Sequence, residues 1–188
     1  MFSVTEHNDR SPELQFRVGD RPTAQEAAFG LLLDAAPDAF TEAEVRSALG
    51  IPKTTAHIAL SGLVREGLAH VERVGRTGRF SVDPADPLMR TLKTARAIRK
   101  AQWAIEPVRD RIELAVLFGS ASRGEDRRDS DVDLLVVTEE YESVLTALAE
   151  HPWLQPVIMT AAKHMTLIAE NGTFARETAR GITVWERR

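Results

Sequence analysis

Apolar residues recur at helical spacing over the first third of the chain and form short alternating or continuous runs over the last third. The pattern predicts two units of different kind. Residues 1–21 are polar, hold Pro12 and Gly19, and show no sustained period, so they read as an arm with one short strand at LQFRV, residues 14–18. Thr23 then caps a helix whose Ala27, Leu31 and Leu32 recur through Ala35, with Pro37 ending it. Thr41 opens a second helix, TEAEVRSAL, in which Glu44 completes a capping box and Gly50 follows as the stop. A third, IPKTTAHIALSGLVREGL, starts near Pro52, spaces Ile58, Leu60, Leu63 and Val64 along one face, and stops at Gly67.

The period then changes. LAHVERV and RFSVD alternate and are joined by GRTG, residues 75–78, which predicts a hairpin with a basic tip. Pro84 and Pro87 mark a boundary, and a basic helix from about Leu88 to Ala104, interrupted near Pro107, reads as a connector over residues 85–110. From Glu113 onward the order is ELAVLF, a loop, DVDLLVV, a helix near 143–150, QPVIMT, a helix near 161–171 and ITVWER. The expected class is therefore α+β: a helical unit with a hairpin over 22–84, and a small α/β unit with a mixed sheet over 111–188.

Composition narrows the class. The chain has 188 residues, 43% of them apolar and 28% charged, no cysteine, and no apolar run near the roughly 20 residues that span a bilayer. Disulfide and thiolate–zinc schemes are excluded, no membrane role is expected, and the polar start MFSVTEHNDR predicts a cytoplasmic location. The net charge of -4 hides an uneven distribution. Residues 51–82 hold five Lys or Arg against two acids, and residues 88–111 hold seven against two.

Candidate chemistry concentrates in LFGSASRGEDRRDSDVDLLVV, residues 117–137. In a strand, residues i and i+2 share a face, so Asp131 and Asp133 project together while Val132 points away. Two adjacent carboxylates repel unless a cation joins them, and hard oxygen donors suit magnesium. Gly119 and Ser120, ending the preceding strand, allow the backbone to approach a phosphate and add a hydroxyl beside it.

Two resemblances follow from these residues. The order of three helices and a hairpin over about 22–83, with Lys53, Thr54, Thr55 and His57 at the start of the third helix and Arg76 and Arg79 on the hairpin, resembles the winged helix-turn-helix family. It implies DNA binding, with the third helix in the major groove and the hairpin against the backbone or minor groove. Its bland counterpart is a module for protein contacts or dimerisation.

Gly119-Ser120, ten residues, then Asp131-Val132-Asp133, with Arg123-Gly124 between, is similar to the minimal nucleotidyltransferases of the DNA polymerase beta superfamily. That resemblance implies Asp131 and Asp133 as catalytic magnesium ligands, Gly119, Ser120 and Arg123 as nucleotide contacts, and Arg127 and Arg128 as further phosphate counter-charges. Active relatives bring a third carboxylate from the next strand, but QPVIMT offers Val157, Ile158 and Met159; Glu150 and Glu170 flank it as poor substitutes.

His151 and His164 read as surface or helix-face residues, and Trp103, Trp153 and Trp185 as packing residues. The basic stretch Arg96 to Lys100 reads either as a DNA contact or as a solvated helix face.

The expected function is a DNA-binding regulator whose second domain binds a magnesium nucleotide and transfers a nucleoside monophosphate to a protein, RNA or small acceptor. The alternative is an inactive fold of the same kind serving as sensor or dimerisation domain. The partners implied are double-stranded DNA, a nucleoside triphosphate, a protein partner or acceptor, and a second copy of the chain.

Overall fold

Reciprocal capping starts the helical unit. In the computed structural model, which describes residues 22–127 and 129–187, Thr23 Oγ1 accepts the Glu26 N–H at the start of α1 (Ala24–Ala35), and Glu26 accepts the Thr23 N–H in return. Thr41 and Glu44 repeat the device at α2 (Glu42–Leu49), which ends on Gly50 at φ 62°. Pro52 precedes α3 (Lys53–Arg65) as its cap. The N-terminal arm with its strand, and Arg128, lie outside the described residues.

The buried stripe of α3 keeps the expected Leu60 and Leu63, with Val64 packed beside them, and departs from expectation at Ile58. The stripe is Ala56, Ala59, Leu60 and Leu63, at i, i+3, i+4 and i+7, packed with Leu32, Leu33 and Val45; Ile58 falls off the stripe and is 64% exposed. The alanines let α3 lie close to α1. On α1 the buried residues are Ala28, Leu32, Leu33 and Ala35; of the expected Ala27, Leu31 and Leu32, Leu32 is among them and the other two are half-buried.

The hairpin pairs β2 (His70–Val74) with β3 (Thr77–Ser81), leaving only Gly75 and Arg76 as the turn. Thr77 and Gly78, expected in the loop, are strand residues because Val74 pairs with Thr77. A two-residue strand, β1 (Phe40–Thr41), adds to β3 with Phe40 opposite Phe80, giving the order β1-β3-β2.

Asp86 caps α4 (Pro87–Ile105), accepting the Leu88 N–H at 2.7 Å. This is the stretch expected as a basic connector, and it is packed on both sides of its length. Met89 and Leu92 enter the core with α1 and α3, whereas Ala97, Ala101, Ala104 and Ile105 enter the core of the second sheet.

That sheet has the order β6-β5-β4-β7. A 3-10 turn (Glu106–Arg111) leads into β4 (Leu114–Phe118), which pairs antiparallel with β5 (Val132–Val137) and with β7 (Ile182–Glu186); β5 and β6 (Leu154–Met159) are parallel. The sheet is mixed, as its alternating elements predict. One face, with Leu117, Leu134 and Val136, is covered by α4 and α6 (Tyr141–Leu148). On the other, Val116, Phe118, Leu135 and Met159 meet Leu167 of α7 (Ala161–Glu170) and Phe174 of α8 (Thr173–Ala179). The strands and helices expected from residue 113 onward are present within a few residues; α8 and the turn α5 (Gly119–Ser122) are additional. No helix among the described residues is long and apolar enough to cross a membrane.

Candidate functional site

Where β4 ends, the chain reverses at Gly119 with φ +70°, a left-handed conformation that favours glycine. Phe118 stands opposite Asp133 in the β4–β5 register, so the reversal carries Gly119 over the Asp133 carboxylate. A Cβ at Gly119 would lie 2.1 Å from Asp133 Oδ2 and 3.0 Å from its Cγ. The bare Cα therefore makes room first for the carboxylate. Ser120 follows in α5, and its carbonyl accepts the N–H groups of Arg123 and Glu125, both at 3.0 Å. Ser122 Oγ donates to the Gly119 carbonyl at 2.8 Å, which closes the turn.

Asp131 is exposed and lies one residue ahead of β5, not within it; Asp133 is half-buried on β5 and shares a face with Leu135. Burial, then the charges of Asp131 and Glu177, push the Asp133 carboxyl above its ordinary value, with Arg123 opposing them. Glu177, on α8, is a residue the sequence reading missed. Arg123 donates from Nε to Glu125 and from Nη1 to Glu177, each at 3.0 Å, and these bonds raise its guanidinium pKa. It is engaged by carboxylates, as well as standing at the rim where a phosphate contact was expected.

The strand that would bring a third acid does not. Beside Asp133 in β6 stands Gln155, and Val157 stands beside Leu135. Glu150 follows α6, on the opposite face of the sheet, and Glu170 is exposed at the end of α7. Among the described residues no group of three or more His, Asp or Glu side chains is arranged to hold a metal. The donors at hand for a hard divalent cation are the two carboxylates of Asp131 and Asp133, whose mutual repulsion such a cation would relieve.

This repulsion has a measurable consequence. Because the folded state raises the Asp133 pKa, it loses stability as pH rises from the ordinary aspartate value, about 3.9, through the raised one. Asp133→Asn is therefore expected to raise the metal-free melting temperature at pH 7 above that of wild type. The gain should vanish at a pH below the ordinary aspartate value. Calorimetry across pH checks this, and a lower melting temperature for the variant at pH 7 would contradict it.

The helical unit presents Lys53, Thr54 and His57 outward on α3, with Thr55 half-buried. His57 Nδ1 lies 3.0 Å from Glu42 Oε2. Arg76 is exposed at the hairpin turn, whereas Arg79 lies within β3 and donates to the Ala39 carbonyl at 2.8 Å, so only Arg76 is at the tip.

His151 packs against both Trp103 and Trp153, at ring separations of 4.8 and 5.4 Å. Trp185 donates to the Ile112 carbonyl and carries Arg109 over its ring at 4.1 Å. His164 is half-buried on α7. On α4, Lys93 contacts Asp126, and Arg96, expected as a DNA contact or part of a solvated face, contacts Asp34.

Residues 96–165 match the family model described as a nucleotidyltransferase domain. The similarity to a nucleotidyltransferase domain is thus confined to this span. The matched span includes Gly119, Ser120, Arg123, Asp131 and Asp133, and ends within α7, before Glu177. No curated protein matches the chain.

Proposed function

We propose that this chain is a DNA-binding regulator whose nucleotidyltransferase domain binds a magnesium nucleotide at Asp131 and Asp133. The observation that supports the nucleotide half most strongly is the seat of Asp133 against Gly119, because a side chain at residue 119 would displace the carboxylate. In this reading Asp131 and Asp133 hold the ion. The Gly119–Ser120 turn binds the terminal phosphates through its N–H groups and hydroxyl, and Arg123 exchanges a carboxylate partner for a phosphate oxygen. When bound, magnesium offsets triphosphate charge and makes the α-phosphorus more open to attack.

A second reading is favoured by Gln155. With an amide where a third acid is expected, β6 supplies no base for an acceptor hydroxyl, and the domain then senses a nucleotide without transferring it. Incubation with α-labelled nucleoside triphosphates and magnesium separates the two. Label fixed on protein, RNA or a small acceptor supports transfer, and binding without any fixed label supports the sensor.

The helical unit is read as a winged helix. Its support is the order of three helices and a hairpin, the β1-β3-β2 sheet, and the outward Lys53, Thr54 and His57 beside Arg76. Placed in the major groove, α3 would reach bases with its first turn while Arg76 met a phosphate. Arg76→Ala is expected to weaken DNA binding evenly across sequences and to lower the log–log salt slope by about 1. Arg79→Ala should act mainly on stability, through its bond to Ala39. Fluorescence anisotropy at several salt concentrations measures both, and an unchanged slope for Arg76→Ala counts against the contact.

A further inference from the structure

A second charged cleft, of about 210 Å³, lies on the side of the site loop that faces α4. Its walls come from α1, α4 and the loop leading into β5, so both halves of the chain contribute. The charged residues that line it are Asp34, Lys93, Arg96, Lys100, Asp126 and Arg127, four cations against two acids.

Lys93 is the least expected of these, at 5% exposure. A buried ammonium costs free energy unless it is hydrogen-bonded and paired. Its Nζ donates to the Asp126 carbonyl and stands 3.7 Å from Asp126 Oδ1, beyond hydrogen-bonding range. Oδ1 is itself buried, with no hydrogen-bond partner among the described residues. Arg96 contacts Asp34 on α1, and Lys100 lies over the Trp153 ring at 5.2 Å, which fixes its ammonium at the cleft wall. Arg127 is exposed at the mouth, its N–H bonded to Ser130 Oγ at 2.9 Å.

An excess of cations selects an anion, and a buried carboxyl oxygen without a donor selects one that keeps a proton. Phosphate meets both demands: a phosphate monoester loses its last proton at a pKa of about 6, so around and below that pH it keeps a P–OH to donate. Sulfate is a similar tetrahedral anion but has no proton to give.

We propose that this cleft binds a phosphate group, either a free ion or the end of a nucleotide, through Lys93, Arg96, Lys100 and Arg127, with its P–OH donated to Asp126. The site is separate from Asp131 and Asp133 and needs no metal. Occupied, it ties α1 to the loop that feeds Asp131, and so links the two units. The inference stands whether or not the magnesium-nucleotide reading does.

The test is calorimetric titration of inorganic phosphate, sulfate and ATP into the full chain, in EDTA at about pH 6.5, where phosphate retains a proton. Phosphate is expected to bind wild type, the Asp131→Asn/Asp133→Asn variant, and Arg99→Gln, which removes a charge from the same helix outside the cleft. Binding should be at least about tenfold weaker in Lys100→Gln/Arg127→Gln, as expected on losing charge-assisted contacts. Should the double variant not fold, Arg127→Gln alone decides, because that side chain is exposed. ATP tighter than phosphate identifies a nucleotide tail as the ligand, and equal or weaker ATP identifies the free ion. No phosphate binding by wild type overturns the proposal, as does undiminished binding in the cleft variants, equal loss in Arg99→Gln, or sulfate as tight as phosphate. Loss of magnesium-dependent nucleotide binding with metal-free phosphate binding intact would touch only the earlier reading.

Discussion

Gly119→Ala is expected to abolish magnesium-dependent nucleotide binding while leaving most of the fold in place. The added Cβ would stand 2.1 Å from Asp133 Oδ2, inside any tolerable contact, and the φ of +70° is strained for an L side chain. The backbone strain alone costs about 1–2 kcal/mol. The clash is with the end of a side chain that can turn away, so the carboxylate moves and the chain survives. What is lost is the juxtaposition of Asp133 with the turn at Gly119. Titration of ATP with magnesium, beside a melting curve, checks both parts. A variant that binds as wild type would mean that the glycine serves only the turn.

Gly124→Ala should be the more damaging to stability. Here the added Cβ would meet backbone, at 2.2 Å from the Arg90 carbonyl oxygen and 2.7 Å from the Arg90 carbonyl carbon and Cα, at φ +67°. No rotamer relieves it. The loop after α5 must lift from α4, and Lys93 would part from Asp126. A loss of about 3 kcal/mol or more is expected, in the range of severe single substitutions, with a melting temperature lower by about 6–12 °C for a chain of this size. Gly50→Ala is the control, since Gly50 has a similar φ of +62° with nothing within 4 Å of the added Cβ, leaving strain alone. If Gly124→Ala melts no lower than Gly50→Ala, the close approach to α4 contributes nothing.

Much of the architecture was legible because local signals carry it. Threonine caps with a glutamate three residues on, alternating apolar runs, and a glycine-serine turn before paired aspartates each act within a few residues. The features that were not legible depend on distant partners. Glu177 reaches Arg123 across 54 residues, from a short helix bounded by Gly172 and Gly181; the Phe174, Ala175 and Thr178 spacing was its only local trace. Arg96 looked like a DNA contact or part of a solvated face, but its acid, Asp34, comes from α1, and Lys93 finds Asp126 across 33 residues. On α3 only Ile58 departs from the expected face, since Leu60 and Leu63 are buried and Val64 packs on the core, while the small Ala56 and Ala59 complete the stripe. The absence of an acid at Gln155 was visible in the sequence, but only the β5–β6 register shows which residue of that strand stands beside Asp133.

The measurement that tests the central claim most directly is calorimetric titration of ATP and GTP into the full chain with and without magnesium, for wild type and for Asp131→Asn/Asp133→Asn. The account predicts a magnesium-dependent component of nucleotide binding in wild type that disappears in the variant, with DNA binding unchanged. Magnesium-dependent binding that survives in the variant, or that is missing from wild type, would contradict the assignment of these two aspartates.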